Sequence, residues 1–402
     1  MSAEIYRKLL ENNNMDNNKT ILFIPSNKNH VRIFHSISLL IKKNHRILFV
    51  TQGSYKNEGA EDALSKLGVE FKKFEEYDKT NPEFVLMKEK VGVVVIGNDI
   101  DIIPQWFANC AKRLRIHTVL IQDGLLFDVN KISKNLGKKL FLILNNCNLK
   151  LLMMEFRLII SKQYHRISYG EGGCTQIHVW GRRFQSYIER KGVDKQSLVV
   201  TGYLKPSEIR QGYEESHKNT IKTILYSPTD LVKTEIINSK DMRQTTEILC
   251  SAVTSLENTK LIIKPHPIEE ITFYNAMQTK YGTSIDVSSS DFYDLLRKSD
   301  LVITNLSTTS LEALAAGKPV IIFLPNLERI VNSDTFPRDL ISRNVMLYAK
   351  DKQTLLENIK RILNGKFSLK DSNVNETLEE YLGTRDERAV VRSAESILKL
   401  LS

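Results

Sequence analysis

Two runs in the second half of the chain combine an apolar, strand-like approach with polar groups suited to a phosphate. They are L-I-I-K-P-H-P at 261–267 and D-L-V-I-T-N-L-S-T-T-S-L-E-A-L-A-A-G-K-P-V at 300–320. In the second run Ser307, Thr308 and Thr309 stand where a strand gives way to a helix. Free backbone N–H groups and the positive end of the helix dipole favour an anion there, although the same residue types cap helices that bind nothing. Glu312, one turn further on, could accept hydrogen bonds from ribose hydroxyls. Lys264 and His266 close the neighbouring strand with an ammonium and an imidazole whose charge changes near neutral pH. Ser227 and Thr229, in Y-S-P-T-D, follow a third strand and either add phosphate contacts or form a turn.

The first half offers groups for proton transfer. Asp123, in I-Q-D-G-L at the end of a buried run, could take the proton from an attacking hydroxyl; Asp-Gly is also a common way to begin a loop. His30, in P-S-N-K-N-H after the first strand, is the rival base. Asp99 and Asp101 form a D-x-D string of hard oxygen ligands, a pair that holds a divalent metal in GT-A enzymes, but paired acids at a strand end are common and the surrounding pattern is wrong for that fold. No catalytic metal and no cofactor are expected. Cys110, Cys147, Cys174 and Cys250 lack metal or redox spacing, which points to a reducing, cytoplasmic compartment.

Strand-like and helix-like segments alternate along the whole chain, the mark of α/β layers with parallel sheets. The first set has strands at 21–25, 46–51, 69–74, 91–97, 118–122, 176–180 and 198–201. Helices fall at 31–42, 58–67, 106–114 and 184–191. The second set has strands at 221–226, 261–264, 284–287, 301–304 and 319–324, with helices at 241–256, 291–298 and 310–316. A last helical repeat covers 385–401. The expected organisation is a lead-in at 1–20, a Rossmann-like domain at 21–204, a second at 205–384, and a C-terminal helix at 385–402.

With 402 residues, 42% hydrophobic and 26% charged, the composition is that of a soluble globular protein of two domains. No run reaches the roughly 18 apolar residues of a membrane span, and the Asn-rich lead-in lacks a signal-peptide core. The net charge of +10 is concentrated in an insertion at 131–166, where eight basic residues face the single acid Glu155. Its basic residues alternate with aliphatic runs, which suits an anionic membrane surface or lipid-linked acceptor, or equally a core helix with a solvated rim. The basic residues are mixed with aliphatics and not with the stacking aromatics that single-stranded nucleic acid needs, so nucleic acid is not an expected partner.

K-P-H-P and S-T-T-S-L-E-A-L-A-A-G-K-P-V resemble motifs shared by bacterial polysaccharide sialyltransferases, CDP-glycerol glycerophosphotransferases and the UDP-N-acetylglucosamine 2-epimerase group. The resemblance implies a GT-B fold, in which two Rossmann-like domains face a central cleft and the C-terminal helix returns to the first. It implies an inverting glycosyltransferase that moves a sugar from a CMP- or UDP-activated donor to a surface-polysaccharide or lipid-linked acceptor. CDP-glycerol transfer and 2-epimerisation are the same-fold alternatives; a degenerate glycan-binding subunit is the non-enzymatic one. The donor would lie on Lys264, His266, Ser227, Thr229, Ser307, Thr308, Thr309 and Glu312, with His266 on the phosphate. Asp123 corresponds to the second acid of an acid–acid–Gly motif whose first acid is replaced by Gln122. His30 corresponds to the end of a Gly-rich loop whose glycines are replaced by Asn27 and Asn29. The expected location is the cytoplasm, peripheral on the inner face of the membrane.

Overall fold

A computed structural model describes residues 19–52, 59–127, 167–204, 221–229, 231–232, 236–266, 269–367, 369 and 372–401. The basic insertion at 131–166 and most of the lead-in lie outside them. The chain forms two compact units. Unit 1 takes in residues 1–123, 135–204 and 381–402; unit 2 takes in 124–134 and 205–380. Two boundaries thus differ from the sequence reading: the residues just after Asp123 group with unit 2, and the C-terminal return begins at Tyr381.

Unit 1 holds a seven-stranded sheet of β1 (Thr20–Ile24), β2 (Arg46–Thr51), β3 (Phe71–Lys73), β4 (Val91–Ile96), β5 (His117–Ile121), β6 (Gln176–Val179) and β7 (Leu198–Val200). Their order is β3-β2-β1-β4-β5-β6-β7, and every pairing is parallel. β1 and β4 are almost wholly buried, which is why they read as unbroken aliphatic runs rather than alternating ones. The helix Lys28–Ile41 packs Val31, Phe34 and Ile37 into a core shared with Phe23, Val93 and Val95. The C-terminal helix Ala389–Leu398 brings Ala394 and Ile397 into the same core. His178 of β6 bonds Ser393 (2.8 Å), and Gln176 bonds Ser396 (2.9 Å), so this helix is fixed by polar contacts as well as by burial.

Unit 2 holds β8 (Lys222–Tyr226), β9 (Thr259–Ile263), β10 (Ile285–Val287), β11 (Leu301–Thr304), β12 (Val320–Phe323) and β13 (Leu347–Ala349). The order β10-β9-β8-β11-β12-β13 is again all parallel. In both sheets the strand order reverses beside the first strand, between β1 and β4 and between β8 and β11. A reversal of this kind opens a crevice at the carboxyl ends of the strands, where ligands of α/β proteins bind. Of the residues singled out from the sequence, His30 follows β1 and Asp99 follows β4, and Ser227 follows β8 and Ser307 follows β11; Asp123 follows the next strand, β5, and Lys264 and His266 follow β9.

Candidate functional site

In unit 1 the chain leaves β1 through Pro25, Ser26 and Asn27 and enters the helix Lys28–Ile41. Asn27 caps that helix by accepting the His30 N–H at 2.8 Å. The cap fixes His30 in the first turn, where its ring stacks on Phe34 at 5.6 Å. Nδ1 of His30 accepts the Ser26 N–H at 3.0 Å. Nε2 stands 2.7 Å from Oδ2 of Asp123, at the end of β5. With Nδ1 occupied as an acceptor, the ring proton resides on Nε2 and is donated to Asp123. Asn27 Nδ2 donates to the same carboxylate oxygen at 3.2 Å. The His30 side chain is 2% exposed and that of Asp123 24%, so Asp123 is the member of the pair that meets solvent.

The pair has a tight wall. A Cβ placed on Gly97, just after β4, would lie 2.3 Å from His30 Nε2, so only glycine leaves room for the ring. The Tyr169 hydroxyl bonds the Gly97 carbonyl at 3.5 Å. Burial first, then the negative charges of Asp123 and Asp99, push the Tyr169 hydroxyl well above its ordinary range. Tyr169 therefore stands beside the pair as a neutral donor. Gln122, in the place of an expected acid, is wholly buried and locks two strands together. Its Oε1 accepts the Trp180 N–H at 3.0 Å and its carbonyl accepts the Trp180 Nε1–H at 2.9 Å.

The D-x-D pair has other partners. Asp99 accepts the N–H groups of Gly170 (3.1 Å) and Gly172 (2.9 Å), fixing the turn that carries Tyr169. Burial raises its carboxyl above the usual range in spite of those bonds. Asp101 accepts from Asn98 at 3.0 Å. Among the described residues no three His, Cys, Asp or Glu side chains gather as metal ligands.

In unit 2 three adjacent strands, β9, β8 and β11, deliver their following loops to one edge. Strand spacing of about 4.8 Å puts neighbouring loops side by side. The Lys264 N–H bonds the Tyr226 carbonyl (2.8 Å), tying the end of β9 to that of β8. Asn305 does the same between β8 and β11: Oδ1 accepts the Thr229 N–H at 2.9 Å and Nδ2 donates to the Thr229 carbonyl at 3.2 Å. Glu269 turns the loop that holds His266, accepting its N–H at 2.7 Å and itself held by the Tyr274 hydroxyl at 2.9 Å.

The hydroxyls on this edge divide into two sets. Ser307 Oγ accepts from Thr309 Oγ1 at 2.9 Å and from the Thr309 N–H at 3.3 Å, and Thr304 Oγ1 donates to the Ser227 carbonyl at 2.6 Å. Ser307 and Thr309 thus shape the loop. The side chains of Ser227, Thr229 and Thr308 have no hydrogen-bond partner among the described residues, and these three can meet a ligand. Glu312 is 5% exposed, with Oε1 accepting the Tyr293 hydroxyl at 2.9 Å. The sequence reading missed Gly97, Tyr169, Glu269, Tyr293 and Asn305. For Gly97 and Asn305 a signal existed, since each is a small or amide residue placed right after a buried strand.

Residues 198–399 match the family described as CDP-Glycerol:Poly(glycerophosphate) glycerophosphotransferase, half of the chain. The chain belongs to this family. The CDP-glycerol glycerophosphotransferase region thus contains the whole of the unit 2 edge, from Ser227 to Glu312. Among solved structures, the wall teichoic acid polymerase TagF soaked with CDPG is similar at 13% identity and a TM-score of 0.57, covering 98% of this chain and 93% of that one. The MnaA–UDP structure of S. aureus gives 14% and 0.59, with 95% and 97% covered. The UDP-GlcNAc 2-epimerase of Neisseria meningitidis, bound to UDP-GlcNAc, gives 12% and 0.58, with 94% and 100% covered. At such identities the likeness shows the fold, which is the two-domain, GT-B-like α/β architecture expected from the motifs. A search of curated proteins gave no match.

Proposed function

We propose that this protein transfers a glycerol phosphate unit, or a close polyol phosphate, from a cytidine diphosphate donor to a hydroxyl of an anionic polyol-phosphate acceptor. The observation that carries the reading is the family match, which spans every residue of the unit 2 edge. The CMP-sialic-type and UDP-sugar donors implied by the motif resemblance have no comparable support.

In this reaction an acceptor oxygen attacks the phosphorus that bears the glycerol. A new P–O bond forms, the P–O bond to CMP breaks, and CMP leaves with the bonding electron pair. Asp123 takes the proton of the attacking hydroxyl, with His30 Nε2–H and Asn27 Nδ2–H holding one carboxylate oxygen in place. On unit 2, Lys264, His266 and the hydroxyls of Ser227, Thr229 and Thr308 bind the diphosphate and stabilise charge on the departing CMP. Ser307 and Thr309 keep that loop in shape, and Glu312, braced by Tyr293, offers its carboxylate to ribose hydroxyls. The eight basic residues of 131–166 suit an acceptor that is itself a polyanion.

A thermal-shift panel with CDP-glycerol, CMP-sialic acid, UDP-N-acetylglucosamine and GDP tests the donor. A ligand at 100 times its dissociation constant adds about 2.7 kcal/mol of stability. CDP-glycerol should raise the melting temperature, and His266→Ala should abolish the rise. Stabilisation by UDP-N-acetylglucosamine instead, with turnover in the absence of acceptor, would establish an epimerase in its place.

A further inference from the structure

Gln52 follows β2 directly and is 4% exposed. The parallel register pairs Phe23 with Phe49, and continued by three residues it sets Ser26 opposite Gln52. Gln52 Nε2 donates to Ser26 Oγ at 2.6 Å. The Ser26 N–H donates to His30 Nδ1 at 3.0 Å, and His30 Nε2 stands 2.7 Å from Asp123. One polar chain therefore runs Gln52–Ser26–His30–Asp123, from the inside of unit 1 to its solvent-facing carboxylate.

The far end of the Gln52 amide is anomalous. Oε1 is buried without a hydrogen-bond partner among the described residues. Exchanging the two ends of the amide would give Oε1 the Ser26 hydroxyl and orphan Nε2 instead. In either orientation one end of the amide is unpaired among the described residues; a methionine of similar length would remove that polar group and, with it, the amide bond to Ser26 Oγ. A side chain that costs stability at the base of a proton-handling chain calls for a functional reason.

We infer that Gln52 is a positioning residue: it holds the Ser26 turn so that the Ser26 N–H stays on Nδ1 and the His30 proton stays on the nitrogen facing Asp123. It touches neither substrate nor the reacting atoms. The inference rests on the reaction proposed above, and it predicts an unusual combination of effects. Relieving the orphaned amide should leave the fold equal or firmer while the reaction suffers.

The test compares Gln52→Met with Thr51→Val in the full chain. Successive strand residues face opposite sides of a sheet, and Thr51 Oγ1 bonds Glu61 rather than Ser26. Gln52→Met should melt at or above the wild-type temperature and lose at least tenfold in kcat. Its KM for CDP-glycerol should stay within twofold, and Thr51→Val should keep the wild-type kcat. Ser26→Ala should show the same loss, and the double variant should be no worse than either single one, because both break one chain. Imidazole nitrogen NMR should find His30 wholly Nε2-protonated in the wild type and a mixture of tautomers in Gln52→Met. Wild-type kcat in Gln52→Met, or losses that multiply in the double variant, overturns the inference. If the wild type itself does not use CDP-glycerol, the proposed reaction falls, and the His30 tautomer still decides the role of Gln52. If Gln52→Met fails to fold, Ser26→Ala and its His30 spectrum decide it.

Discussion

His30 could serve as the base only if one ring nitrogen kept a lone pair for the acceptor, and neither does. Nδ1 takes the Ser26 N–H and Nε2 carries the proton given to Asp123. The two rival bases of the sequence are therefore one unit with divided roles. Asp123→Asn keeps the shape and removes the proton acceptor; kcat should fall by about 10²–10⁴ with the KM for donor little changed. His30→Gln, which can still donate to Asp123, should lose less. Steady-state kinetics on both variants checks the order, and a larger loss for His30→Gln would return the base role to the imidazole. The sequence placed both residues at strand ends yet left their partnership open. His30 and Asp123 are 93 positions apart, and only the β1-β4-β5 order of the sheet brings their loops together.

At the scale of elements, the loops of unit 2 owe their arrangement to side chains that copy backbone pairing. Asn305 is buried and exchanges two hydrogen bonds with Thr229, as a neighbouring strand would. Asn305→Ala leaves the Thr229 N–H unpaired, while the Thr229 carbonyl keeps only the Leu231 N–H. That should cost about 1–3 kcal/mol in denaturant unfolding and raise the Kd for a cytidine diphosphate at least tenfold by calorimetry. Weaker folding with unaltered affinity would show that the clamp does not shape the donor loop. Elements with continuous aliphatic runs, such as β4, β8 and β11, were legible, and so were the helices that follow them. β13 and the helices Ile271–Tyr281, Lys352–Leu363 and Ser372–Leu382 were not picked out. For Lys352–Leu363 the signals were present: Asp351 caps it through Thr354, and Leu355, Ile359 and Ile362 form its buried stripe. β13 is three residues of a sheet edge and carries too little pattern to stand out.

At the scale of the whole molecule, the acid-sensitive groups are unevenly distributed between the two units. Burial drives the ring of His178 down to about 3, and burial likewise lowers His45, whose two ring nitrogens are buried without partners among the described residues. Burial works to raise Glu89, yet Lys72, Arg46 and the Tyr77 hydroxyl together hold it down at about 2. All three lie in unit 1. Each has a folded-state value below its unfolded one, so its contribution is complete above the unfolded value and is lost as pH falls towards the folded one. For the histidines the loss begins below about pH 6.5, and for Glu89 below about 4.5, from their ordinary side-chain values. His35 and Asp386 of unit 1 are lowered as well; Asp99, raised by burial, acts in the opposite sense, and unit 2 has the exposed Asp351, lowered by its bonds to Thr354. Unit 1 should therefore unfold on acidification before unit 2. The two tryptophans, Trp106 and Trp180, both belong to unit 1, so tryptophan fluorescence reports that unit alone while far-ultraviolet circular dichroism reports both. The fluorescence midpoint should fall at a higher pH than the dichroism midpoint, as expected when two-state behaviour fails. Coincident midpoints would mean that the units unfold together and that the acid sensitivity of unit 1 is transmitted to the whole chain.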